Sequence, residues 1–429
     1  MSGRGLAALS RGASCAIPPR LGAIRRAFAA SAGGLSPIFW VIWWGTLINR
    51  LASFVALYLA LFLRDVHGLD EAQAGWVVGL WGLGSLVSSP LGGVLTDRAG
   101  RRVTMLLGLV LGGLSVLAIA LVQDARLLAA LSFTAGATGA VFFPASNAAV
   151  ADVVPPEDRD RAYGLIYWAV NVGLTFGFFV AGLVPTRHVG WLFVADALTT
   201  FACAALTAWK VPETRPAIHG HQPALRGLLL VFADRPYLVL LLLHVVALTI
   251  FTQFSLALPL DMDAHGLGSQ RFSVLMALNC LGVVLLQPWL TPLLRRFDPS
   301  KLLAVSAALF ALGYGLDAVV GTFPLYLAGA AFWTVGEVVG FPAVSRLVAD
   351  MAPLPLRGRY QGAFSMVWGT ASMLSPVLGG QVMHRFGAPV LWWACLAAGL
   401  LVALGHLLSA EPRRRRVEVV AALERAQHG

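Results

Sequence analysis

Two ionisable side chains, Arg50 and Glu337, stand in the middle of long apolar stretches. Such a group in a lipid-spanning segment costs at least about 2.5–3.5 kcal/mol, so it marks a functional position by default. Three chemistries are open to Glu337. It binds and releases a proton, it neutralises a cationic substrate, or it pairs with a cation such as Arg50 and serves structure alone. Arg50 by itself is suited to an anionic substrate. Asn49, Tyr58, Asn147 and Gln253 add hydrogen-bonding groups along the same pathway. For these, and for Tyr167, Asn171 and Asn279, bonding between helices is the plainer use. Asp196 and Asp317 fall nearer span ends, where contact with interfacial water makes them structural, and His244 reads as a packed histidine.

Enzyme chemistry finds no foothold. There is no HExxH or GxSxG pattern, and Lys210 and Lys301, the two lysines, are not in a phosphate-binding loop. Cys15, Cys203, Cys280 and Cys395 have no metal-ligand spacing, and three of them lie in apolar runs as free thiols. His219 and His221 sit in a polar connection, where solvation is the ordinary state. No cofactor and no metal are expected.

These groups must be held by membrane-spanning helices. The chain of 429 residues is 58% hydrophobic and 12% charged, against about 25% charged in a typical soluble domain. Twelve apolar runs, near 38–63, 75–95, 103–122, 127–150, 163–184, 190–209, 237–260, 272–294, 302–320, 324–348, 361–383 and 389–408, are long enough to cross a bilayer as helices. The expected class is an all-α polytopic membrane protein. Of the 31 Lys and Arg residues, 25 fall in the tails and connections on one side, five on the other, and Arg50 within a span. That bias places both termini in the cytoplasm of a cell with the protein in its plasma membrane. It also accounts for the net charge of +10 without nucleic acid as a partner. Residues 1–36 form a basic tail or, alternatively, a transit peptide. Residues 210–236 link two halves, 37–209 and 237–410, and 411–429 form a second basic tail.

The halves match at one offset of 198 residues. Asp65-x-His67-Gly68-Leu69 recurs as Asp263-x-His265-Gly266-Leu267, and Phe143-Pro144-Ala145 recurs as Phe341-Pro342-Ala343. Ala151-Asp152 with Pro155, Arg159, Arg161 and Gly164 recurs as Ala349-Asp350 with Pro353, Arg357, Arg359 and Gly362. Two copies of a six-helix bundle in one orientation form an architecture of secondary transporters, with the substrate at mid-membrane between them. Glu337 maps to Gly139 and Arg50 to Leu248, so neither charge is a scaffold feature common to both halves.

Between spans 2 and 3 stands Gly92-Gly-Val-Leu-Thr-Asp97-Arg98-Ala-Gly100-Arg101-Arg102. This block resembles the signature loop of the major facilitator superfamily, and with the repeat the resemblance covers about residues 37–410. It implies twelve transmembrane helices as two parallel-repeat bundles, with spans 1, 4, 7 and 10 lining a central cavity. It implies a cytoplasmic latch in which Asp97, Arg98, Arg101 and Arg102 join Asp152, Arg159 and Arg161, with Gly92 and Gly100 shaping the loop. It also implies a small-molecule transporter working by alternating access, with proton-driven efflux of drugs or metabolites as the favoured form. An uptake carrier or uniporter without proton coupling is the alternative. The chain departs from the drug–proton antiporter pattern in span 5, which lacks a Gly-Pro pair, and in span 4, which lacks an arginine. The expected partners are the substrate, protons and lipid, and the expected state is monomeric.

Overall fold

The computed structural model describes residues 34–53, 55–155, 158–184, 188–214, 231–294, 296–319, 321–353 and 356–428. The choice between basic tail and transit peptide, and His219 and His221, lie outside the described residues.

The fold is all-α, two six-helix bundles of the kind the repeat predicts. Span 1 is α1 (Pro37–Leu51) and α2 (Val55–Asp65). Spans 2 to 6 are α3 (Glu71–Arg98), α4 (Arg101–Leu121), α5 (Ala125–Val153), α6 (Arg159–Ala181) and α7 (Gly190–Lys210). Span 7 is α8 (Arg235–Phe251), a 3₁₀ turn (Thr252–Ser255) and α9 (Ala257–Ala264). Spans 8 to 12 are α10 (Gly268–Leu294), α11 (Pro299–Leu316), α12 (Phe323–Met351), α13 (Arg357–Phe386) and α14 (Ala388–Leu408). The face where span 1 begins and span 12 ends is the terminal face; the opposite one is the far face.

Spans 1 and 7, repeat counterparts, read as unbroken in the sequence but are interrupted at corresponding depths. In span 7 the cause is visible. Pro259 has no N–H to offer the carbonyl of Ser255. Thr252 and Ser255 donate their hydroxyls to the carbonyls of Leu248 and Thr252, and Gln253 donates to that of Thr249, tightening the turn. In span 1 the Ser53 hydroxyl accepts from the Arg50 guanidinium where the helix stops.

Nine described helices are long and apolar enough to cross a membrane. Spans 2 and 11 are not in that set; they are rich in small and polar residues and pack against each other. Their glycines bring backbones together: Gly75 against Pro376, Gly82 against Ser372 and Met373, Gly380 against Glu71, and Gly369 against Leu86. Small residues at a helix crossing permit this close approach. The run extends from the far face to just past mid-membrane. Tyr58 and Ser273 share a hydrogen bond between the halves in the same region.

The sequence marks 411–429 only as a basic tail. The structure folds Ala410–His428 into a further helix, α15, laid against the C-terminal half. Arg416 donates to the Asp234 carboxylate at 2.7 Å and to the Tyr360 hydroxyl, and Arg413 is fully buried beside His406.

Candidate transport site

Glu337 lies in the middle of α12 and is 8% exposed. Gly336 and Gly340 flank it and let α12 press onto Ser306 and Phe310 of α11. The Ser306 hydroxyl donates to the Gly336 carbonyl at 2.7 Å. The carboxylate is thereby turned toward α10, where Asn279 donates to it at 3.2 Å and to the Thr334 hydroxyl at 3.0 Å. Tyr167, on α6 of the other half, is close enough for the Glu337 charge to act on it. A buried acid is thus held by one neutral donor, and its cross-bundle neighbour is a phenol.

Arg50 occupies a separate setting. Its guanidinium stacks 4.8 Å from the Phe143 ring centroid and donates to Ser53 at 3.2 Å. Gly173 of α6 makes room for its stem. The carboxylate whose charge acts on it is Asp196 of α7. Among the described residues no ion pair joins Arg50 to Glu337, so the pairing weighed from the sequence is not the arrangement found.

The other pathway residues divide. Asn49 donates to Thr200 of α7 at 2.9 Å, and Thr200 in turn approaches Asp196. Gln253 is buried and donates to the Ser375 carbonyl of α13. Tyr58 is buried at its bond to Ser273. Asn147 is exposed on α5, and its carbonyl accepts from Tyr163. Asp196 and Asp317 do not reach interfacial water: both are buried. Helix packing around each span end, rather than its depth in the bilayer, decides that.

The loop between spans 2 and 3 is tied within its own half. Arg101 donates to Asp152 at 3.0 Å and to the Thr96 carbonyl. Thr214 donates to the same Asp152. Arg159 donates to the Ala151 carbonyl. Gly92 packs on Val141 of α5. Gly100 adopts φ +100°, a conformation that favours glycine. The side chains of Asp97 and Arg161 lie outside the described residues, and Arg98 is engaged by a contact of its own. Glu213 carries no local signal in the sequence. Its carboxylate accepts from the backbone N–H groups of Arg101 and Arg102 at 2.9 and 3.2 Å, capping α4, which has no side-chain cap of its own.

A profile of the Major Facilitator Superfamily matches residues 42–267 and 240–425. The chain belongs to the major facilitator superfamily. This transporter is 24% identical over 364 residues to a Na(+), Li(+), K(+)/H(+) antiporter of Planococcus maritimus, covering 77% of this chain and 85% of the relative. It is 23% identical over 386 residues to the multidrug resistance protein MdtH of Salmonella typhimurium, covering 86% and 95%. Its fold matches the crystal structure of a point mutant of the nucleoside transporter NupG with a TM-score of 0.77 at 12% identity, over 87% of this chain and 99% of that one. The protein is therefore a multi-pass membrane transporter of small molecules and not an enzyme.

Proposed function

We propose that this transporter exports drugs or metabolites across the plasma membrane in exchange for protons, working as a monomer with its terminal face in the cytoplasm. The observation that carries the reading is Glu337: an acid at mid-membrane, buried, held by Asn279 and with no cation partner among the described residues. Such a group exchanges its proton for a cationic substrate or for water when the central space is refilled. The lysine and arginine bias supports the orientation. The relatives named for multidrug resistance and for cation–proton antiport support export and coupling. The close approaches between the halves lie toward the far face, which supports a central space open to the cytoplasm. Arg101 and Asp152 brace the N-terminal half as it rocks, with Asp97, Arg98 and Arg161 as further latch residues.

Inverted vesicles with an imposed pH gradient test the proposal. Substrate movement follows the gradient in the native protein, loses that response in Glu337→Gln, and keeps a reduced response in Glu337→Asp. Normal coupling in Glu337→Gln removes Glu337 from the role. Movement that follows the substrate gradient alone identifies a uniporter.

A further inference from the structure

A second buried acid cluster lies in the C-terminal half, near the far face and away from Glu337. Asp261 of α9 is 3% exposed, and its Oδ2 accepts from the Tyr326 hydroxyl at 2.8 Å and from the Trp392 indole at 3.0 Å. Asp317, at the end of α11, is 4% exposed and one turn from Tyr314, whose ring stacks on the Trp392 indole that donates to Asp261. The Asp317 Oδ1 is sealed from solvent with no hydrogen-bond partner. That oxygen lies over Gly329 of α12, 3.1 Å from where a side chain there would begin. The titratable groups around the pair are Tyr314 on α11, Tyr326 on α12, Cys395 on α14 and His265 beyond α9. Neither aspartate has an arginine or lysine partner among the described residues. Two carboxylates in one dry site cannot both be ionised.

We propose that Asp261 and Asp317 together hold one resident proton, a second protonation site loaded from the far face. The entry route is built from contacts. The His265 side chain is 40% exposed, and its Nδ1 lies 2.9 Å from the Asp261 carbonyl, 3.1 Å from the Tyr326 hydroxyl and 3.6 Å from Asp261 Oδ1. A proton taken up by the imidazole passes from Nδ1 to the Tyr326 oxygen while Tyr326 gives its own proton to Asp261 Oδ2. The tyrosine ends neutral, the imidazole ends neutral, and the carboxyl pair has gained the proton, which comes to rest on Asp317 because Tyr326 and Trp392 both donate to Asp261. The site is independent of any role of Glu337.

Infrared spectroscopy of the full-length protein in lipid tests this. With carboxyl-labelled aspartate, a protonated-carboxyl band is expected at neutral pH that shifts on labelling. It is expected to be lost in Asp317→Asn and kept in Glu337→Gln and Asp196→Asn. Asp317→Glu preserves a carboxyl in the packed site and moves the band out of the aspartate-labelled set, so the assignment does not depend on the asparagine variant folding. His265→Ala slows deuterium exchange of the band. Absence of a label-sensitive band in the native protein overturns the proposal. So does a band that survives both substitutions at Asp317, or one that exchanges at the native rate without His265.

Discussion

The Arg64 guanidinium bridges Asp65 and Asp263, two aspartates that occupy the same position in the two repeats. One cation thus staples the halves at the far face.

Arg64→Ala removes that staple. The three side chains are about a quarter to a third exposed, so the bond contributes roughly 0–1 kcal/mol. The expected outcome is a shift of up to about fivefold toward conformers open at the far face. Spin-label distances between the ends of spans 1 and 7 measure it. Unchanged distances would show that the glycine contacts alone set the closed side.

Gly82→Ala places a methyl group against the backbone of Ser372 and Met373. Neither can yield without moving α13, and overpacking of this kind costs about 1–3 kcal/mol. Gly139→Ala and Gly164→Ala meet open space and leave stability unchanged or higher, since alanine is the better helix former. Thermal unfolding in detergent distinguishes the two outcomes.

Glu213→Ala leaves the first N–H groups of α4 without their acceptor. The expected loss is about 1 kcal/mol, that of a helix cap. Glu213→Gln retains part of it. Backbone hydrogen exchange at Arg101 and Arg102 is the direct measurement.

Arg416→Ala frees α15 from Asp234 and Tyr360. Losing charge-assisted hydrogen bonds at a largely buried acid costs about 1.5–3 kcal/mol. Protease cleavage within 410–428 should quicken while the rest of the chain stays resistant. Equal cleavage in the native protein would show that α15 is held by packing alone.

Much of the scaffold was legible because the repeat is strict. Pro144 and Pro342 fall inside equivalent helices, as the offset requires. Neither break was read from the sequence: Pro259 explains the one in span 7 only after the fact, and nothing in Val55–Asp65 signals the one in span 1. The site was half legible. Polarity in an apolar run singled out Arg50 and Glu337, but their separation depends on how α1 packs on α6 and α12 on α11. Asp261 was missed because it directly follows the apolar run 237–260, where an acid reads as part of the connection. Glu213 was missed because a cap supplied from 112 residues away has no local spacing.

The docked α15 also bears on biosynthesis. Its 19 residues follow span 12 in the chain, so they leave the ribosome after all twelve spans. Asp234 and Tyr360, made earlier, therefore stay without Arg416 until α15 has emerged. A tag or fusion that distorts this helix will impair assembly after insertion has already succeeded.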